Sequence, residues 1–341
     1  MHFASDNTAG VHPQIMDALV RANEGVKPSY GADELTAEFE SRLKDIFETD
    51  LAVFPVATGT AANCLALQSL APPWGAIYCY DHSHIFDDEC CGPEFYTGGA
   101  KLFPVAAESG RLTVEGLKVG LGRFKAGFAH NPQPAAISLT QCTEWGAVYA
   151  PERIAALAEL ARAHGCRVHM DGARFANALV SLDVSPAEMT WKAGVDVLSF
   201  GATKNGAMGA EAVVFFDTAL AQDFLYRRKR AGHLFSKMRY LSAQLVAYLD
   251  GDLWLKNARH ANRAAARLKD GLSRINSVAF AHPVEANELF VTLPEGAGDR
   301  LRAEGASFYE METGDGPVAR LVTSFATGDD EVDRFIEICG G

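Results

Sequence analysis

Apolar positions recur along this chain in two periods, and the switches between them mark out its elements. Leu35, Phe39, Leu43 and Phe47 share one helical face, and Asp33 stands where an N-cap carboxylate would meet the first free N–H groups. Residues 51–56 form a short apolar run that predicts a buried strand, and residues 60–71 predict a helix. Further strands are expected at 76–80, 100–105 and 136–141. Pro151 opens a helix at a position that needs no N–H; Ile154, Leu157, Ala158 and Ala161 line its apolar side, and Gly165 ends it. Residues 166–170 predict a strand, and 195–200 and 212–216 are near-continuous apolar runs, as expected of strands covered on both faces.

This alternation predicts an α/β architecture with helices on both faces of a mostly parallel sheet. After residue 225 the texture changes to a long helical region reaching about residue 275. Strands are then expected at 287–293, 307–311 and 318–325, with a closing helix at 329–339. The expected division is a large domain with an N-terminal arm, residues 1–245, and a smaller C-terminal α+β domain, residues 246–341. No flexible linker marks the boundary, so the two are expected to pack closely.

Composition narrows the function. At 341 residues, 48% apolar and 22% charged, the chain can bury a sizeable core. A formal net charge of −12 argues against broad contact with nucleic acid or an anionic membrane. The one dense basic run, Arg227-Arg228-Lys229-Arg230, is either a local basic patch or a solvated helix face. No apolar stretch is long enough to span a bilayer, and the N-terminus lacks a basic flank followed by an apolar core. Seven scattered cysteines with no C-x-x-C pattern predict reduced thiols in a cytoplasmic protein.

Three short segments carry candidate chemistry. Thr58-Gly59-Thr60 turns a buried strand into a helix and points free N–H groups at an anion. Asp171 follows the strand 166–170, at the end where α/β proteins place ligands, and could hold a pyridine nitrogen protonated. Lys204 sits in a small-residue turn after the strand 195–200, where desolvation would make its amine nucleophilic. Each is weak alone: the turn could be a simple connection, Asp171 a cap and Lys204 an exposed turn lysine. Phosphate turn, acidic strand end and lysine in that order are the pattern of fold-type-I enzymes of pyridoxal 5'-phosphate (PLP).

At this point the sequence resembles the low-specificity L-threonine aldolase family, including its phenylserine aldolase relatives. The matching stretches are Ser5-Asp6-Asn7, Tyr30-Gly31, Thr58-Gly59-Thr60-Ala61-Ala62-Asn63, His84-Ile85 with Asp88-Glu89, His169-Met170-Asp171-Gly172-Ala173-Arg174 with Asn177, the Lys204 turn and Arg320-Leu321-Val322-Thr323. The resemblance implies an aspartate-aminotransferase-like three-layer sandwich with PLP held as a Schiff base on Lys204 and its ring nitrogen at Asp171. It implies phosphate binding by Gly59, Thr60 and Ala61, and a His84 ring stacked on the cofactor near the substrate hydroxyl. Ser5 and Arg320 would grip the substrate carboxylate, and Arg174 would lie beside the cofactor and substrate. Arg239 and Tyr30 would reach a neighbouring subunit's site in a dimer or tetramer.

The implied reaction is reversible cleavage of a β-hydroxy-α-amino acid, such as L-threonine, L-allo-threonine or phenylserine, to glycine and an aldehyde. His84 leads as the base. Many family members also carry a histidine in an Asn-Thr-His run after the strand ending near residue 141, where this chain reads Thr140-Gln141-Cys142-Thr143-Glu144. His130 is then the second histidine candidate. A PLP-dependent β-eliminating lyase or aminotransferase would share Lys204 and Asp171. A metallohydrolase is a remote alternative, because His82-Ser83-His84 with Asp87-Asp88 resembles an H-x-H-x-D-H site lacking its last histidine.

Overall fold

The computed structural model describes residues 1–313 and 316–341. Its central sheet holds seven strands: β1 (Ala52–Val56), β2 (Gly75–Cys79), β3 (Lys101–Pro104), β4 (Gln133–Thr140), β5 (Arg167–Gly172), β6 (Val197–Gly201) and β7 (Glu211–Phe215). They lie in the order β1-β7-β6-β5-β4-β2-β3. All neighbours run parallel except β7, which is antiparallel to both β6 and β1. A short turn joins β6 to β7 without a crossover helix, so the chain reverses there.

The sheet is buried on both faces because its strands alternate between two cores. Leu198, Val214 and Met170 pack with Phe39, Leu43 and Phe47 of α2 (Glu34–Phe47). Val197, Val213 and Ile77 pack on the other face with Ala62, Leu65 and Ala66 of α3 (Gly59–Leu70). Asp33 caps α2, its side chain accepting the Thr36 N–H at 3.0 Å. Thr58 caps α3, which is buried on most sides and so shows little amphipathic pattern. Two covered faces make the expected three-layer sandwich.

The helical region after residue 225 is broken rather than continuous. Phe224–Arg230 forms one helix, Arg239–Leu249 a second and Leu253–Leu272 a third, with Gly251 at positive φ between the last two. The basic run is not wholly solvated: Arg228 is buried, its guanidinium 5.3 Å from the Phe54 ring and bonded to the Pro55 carbonyl at 3.2 Å. Burial lowers its pKa to about 10.

The smaller unit is a four-stranded antiparallel sheet built from Ala279–Phe280, β8 (Glu288–Thr292), Tyr309–Thr313 and β9 (Gly316–Val322). Ala264, Ala265, Leu268 and Leu272 of the Leu253–Leu272 helix cover it, with Phe335 of the closing helix Asp329–Gly340. Earlier residues of the same long helix, Trp254 and Ala258, belong to the large core. The cores therefore meet along that helix, beyond the expected residue 245. Phe3 is buried in the C-terminal core, and its N–H bonds to the Ser307 carbonyl at 2.8 Å. The chain's first residues thus belong with its last hundred.

His169 of β5 illustrates how the sheet treats a polar side chain. It is fully buried, with Nδ1 2.9 Å from Ser138 Oγ and Nε2 3.0 Å from Ser199 Oγ. Burial pushes its pKa down to about 4. Below the ordinary imidazole value the unfolded chain takes a proton that the folded site refuses. Stability from this group is thus complete above pH 6.5 and is lost as pH falls towards 4. The full effect is about 3 kcal/mol. Urea titrations from pH 7 to 4 should show His169→Gln losing less stability than wild type by up to that amount.

Candidate active site

Because β1, β2, β4, β5 and β6 run the same way, their carboxyl ends share one edge of the sheet, where ligands of such folds bind. Register aligns Thr140 with Asp171 and Asp171 with Ser199 across that edge. Asp171 lies at the end of β5 itself, and the segments leaving the edge carry Gly59, His84, Glu144 and Lys204.

Lys204 is half-buried on a short 3-10 turn, Thr203–Asn205. Its neighbours are held from below. Glu211 accepts the Ala202 N–H at 3.0 Å, while Asn205 donates to Tyr248 Oη and the Trp254 carbonyl, both at 2.8 Å. Gln244 Oε1 accepts the Met208 and Gly209 N–H groups at 2.8 and 3.1 Å. Burial raises the Glu211 pKa to about 7 despite the favourable charge of Lys204. The turn is clamped while the lysine amine makes no hydrogen bond or ion pair among the described residues.

Asp171 is buried and accepts two N–H groups, from Asn63 Nδ2 at 2.8 Å and from the Ala173 backbone at 2.9 Å. Asn63 Nδ2 also donates to Glu89 Oε1 at 2.8 Å, and the same oxygen lies 2.8 Å from His84 Nδ1. One hydrogen-bonded chain thus runs from Asp171 through Asn63 and Glu89 to His84. The bond to Glu89 raises the His84 pKa above the ordinary imidazole value, against the opposing effect of burial. With Nδ1 tied down, Nε2 is left for a ligand.

At the far side of the edge a second cluster joins the two domains. Arg174 grips Asp6 with two bonds of 2.7 and 3.0 Å, and its Nη1 lies 3.3 Å from Glu288 Oε2. Glu288 Oε1 in turn accepts from Arg320 Nη2 at 2.6 Å. Asn287 Nδ2 completes the cluster with a 3.2 Å bond to Asp6. Burial opposes both charges, yet Asp6 and Glu288 keep Arg174 firmly protonated, and Arg174 and Lys204 hold Asp6 below the usual carboxylate range. Expected to lie beside the cofactor and substrate, Arg174 commits Nε and Nη2 to Asp6, while its Nη1 faces Glu288 Oε2 with no well-formed hydrogen bond between them. Its place is as the strut that holds the N-terminal arm and β8 against β5. Arg320 is only half-buried, and Ser5 caps a short turn by accepting the Asn7 N–H at 3.1 Å.

At the start of α3 Thr58 Oγ1 accepts the Ala61 N–H at 3.2 Å. That bond takes Ala61 out of the expected anion cradle and leaves the Gly59 and Thr60 N–H groups. Three other expected residues lie outside the cluster. His130 is exposed before β4, packed on Phe128 with ring centroids 4.9 Å apart. The length of β4 separates it from the site by roughly 25 Å, so sequence position misplaced it. Tyr30 is exposed, with the Lys229 ammonium 4.8 Å from its ring centroid. Arg239 donates to the Gly25 carbonyl at 3.1 Å and lines a separate cavity of about 610 Å³ between the Pro13–Ala22 helix, α2 and the Arg239–Leu249 helix. The paired histidines do not converge either: His82 meets Asp87 and His84 meets Glu89. Among the described residues no three metal-ligating side chains group together.

Comparison with known proteins decides the family. The β-eliminating lyase family matches residues 2–295. A low-specificity L-threonine aldolase of Pseudomonas aeruginosa is 43% identical over 337 residues, covering 98% of this chain and 95% of that protein. A second, from Pseudomonas sp., is also 43% identical, covering 95% and 93%. The chain belongs to the low-specificity L-threonine aldolases, within the β-eliminating lyase family.

A solved threonine aldolase of Leishmania major superposes with a TM-score of 0.93 at 29% identity, covering 99% of this chain and 98% of that one. Serine palmitoyltransferase of Sphingomonas wittichii, at 16% identity and a TM-score of 0.72, shares the fold alone. This aldolase-family site also contains partners to which sequence reasoning gave no role. Asn63 and Glu89 lay inside motif stretches, and an asparagine in the apolar run Ala61–Leu65 is an available signal of buried hydrogen bonding. Asp6 and Glu288 meet Arg174 only through tertiary contact.

The Arg174 cluster makes a definite prediction. Replacing Arg174 with Met removes the one guanidinium that Asp6 contacts among the described residues and leaves Glu288 with Arg320 alone. Denaturant unfolding should show a loss of roughly 3–5 kcal/mol at pH 7. Part of that loss should return at lower pH, where the stranded Asp6 carboxylate can take up a proton.

Proposed function

We propose that this protein is a PLP-dependent aldolase that cleaves L-β-hydroxy-α-amino acids to glycine and an aldehyde, with the cofactor carried on Lys204. The observation that carries the reading is the clamped turn that presents an unpaired lysine amine on the same edge as the buried Asp171 carboxylate. The residues fit the group. Lys204 is the covalent anchor, Asp171 pairs with the ring nitrogen, and the Gly59 and Thr60 N–H groups with the α3 dipole hold the phosphate. When bound, PLP supplies an electron sink for the pair released from the Cα–Cβ bond.

The chain's own side chains supply the rest. Asp171, held by two neutral N–H groups and no cation, keeps a ring nitrogen protonated. His84 offers Nε2 to the β-oxygen while Glu89 fixes its other nitrogen. Arg320 and Ser5 hold the amino-acid carboxylate, with Glu288 aiming the guanidinium. Tyr30 and Arg239, outside this chain's own cluster, serve a neighbouring copy in a dimer or tetramer. All seven cysteines are free, in keeping with work in the reducing cytoplasm.

Incubation with L-threonine tests the reading. Acetaldehyde and glycine should appear in equal amounts; ammonia and an oxo acid in their place would assign a β-elimination instead. The purified protein with PLP should show a visible absorbance band that borohydride removes. Lys204→Ala should lack the band and fall to background cleavage. A wild-type protein that never develops the band overturns the proposal.

A further inference from the structure

Glu144 is a carboxyl group for which the site as described has no use. Its Oε1 accepts the His84 backbone N–H at 3.0 Å, which sets the carboxyl at the start of the short helix His84–Asp87. Its Oε2 is buried and makes no well-formed hydrogen bond. An oxygen in that state forfeits a kilocalorie or more unless some further group completes it, so it points to a partner that arrives with the ligand.

Several ionisable groups face Glu144. Asp171 adds a like charge from β5, and the Thr140 hydroxyl at the end of β4 favours the charged form. Cys79, Tyr80 and His82, from the end of β2 and the loop after it, and Tyr149 from beyond Glu144 also feel its charge. Burial is the largest influence and raises its pKa to about 7, so both protonation states are populated near neutrality. Next to it Trp145 donates to Tyr80 Oη at 2.7 Å and packs tilted against His282, centroids 4.5 Å apart.

We propose that Glu144 is a second acid–base residue of the aldol step, its Oε2 taking the proton from the substrate's β-hydroxyl while His84 holds the β-oxygen. The inference rests on the aldolase reading above. The step balances: the O–H proton passes to Oε2, the O–H pair becomes the second C–O bond of the aldehyde, and the Cα–Cβ pair leaves towards Cα. In the synthetic direction the same carboxyl returns the proton to the aldehyde oxygen.

Glu144→Gln tests this, because the amide keeps an acceptor for the His84 N–H but cannot take a proton. Two reactions are compared in the PLP-loaded protein: threonine cleavage, and exchange of glycine's Cα proton with D2O, which has no β-oxygen. Cleavage should fall roughly 10²–10⁴-fold while exchange stays within about threefold. Infrared difference spectra should show a protonated carboxyl below about pH 7 in wild type that Glu144→Gln lacks. Unchanged cleavage, or equal loss of cleavage and exchange, overturns the proposal. A wild-type protein that neither cleaves nor exchanges sinks the aldolase reading itself. Should Glu144→Gln fail to fold, Thr140→Val serves. Loss of the hydroxyl should move the acid limb of kcat/KM to higher pH, and an unmoved limb counts against Glu144.

Discussion

Everything at this site depends on finding donors for buried carboxyl groups. Asp6, Glu89, Asp171, Glu211 and Glu288 are all buried close to the carboxyl ends of the sheet. Each isolated ion would cost several kcal/mol, so each must find donors. The fold meets that demand in two ways. Asp171, Glu89 and Glu211 take neutral N–H groups from Asn63 and the backbone, while Asp6 and Glu288 share Arg174. The difference has chemical consequences. A carboxylate satisfied by neutral donors still attracts a cation that arrives later, whereas one filled by arginine is structural.

The arginine-filled cluster also explains why the two domains sit together. Asp6 comes from the N-terminal arm, Arg174 from the turn after β5, and Glu288 and Arg320 from the C-terminal sheet. A shift of either domain would unpair a buried charge. The Arg320 guanidinium has its orientation set by Glu288, and Phe3 fastens the arm to the C-terminal core. On the proposed reading, the ion pairs that join the domains also aim the guanidinium that would grip the substrate.

Much of the fold was legible because period and burial are linked. The runs at 195–200 and 212–216 are near-continuously apolar, and β6 and β7 are buried at every position. The cap at Asp33 and the Pro151 helix start depend on neighbours within four residues, so they too could be read locally. Two organisational readings moved. The boundary at residue 245 fell inside a helix, because the Leu253–Leu272 helix serves both cores and no change in local pattern marks the handover. Arg228 read as solvated because a charge run has no periodic sign of the aromatic ring that covers it.

By itself the sequence determined the order of elements and the three segments, at Gly59, Asp171 and Lys204, that lie at strand ends. Those follow from spacing along one chain, and spacing is a local property. Only the tertiary structure decided what each side chain could do. It tied Arg174 to Asp6, placed His130 at the far end of β4, took the Ala61 N–H into a cap, and set Glu144 against the His84 backbone. Charge state and free valence depend on burial and on partners tens or hundreds of residues away, and no pattern of neighbours along the chain encodes them.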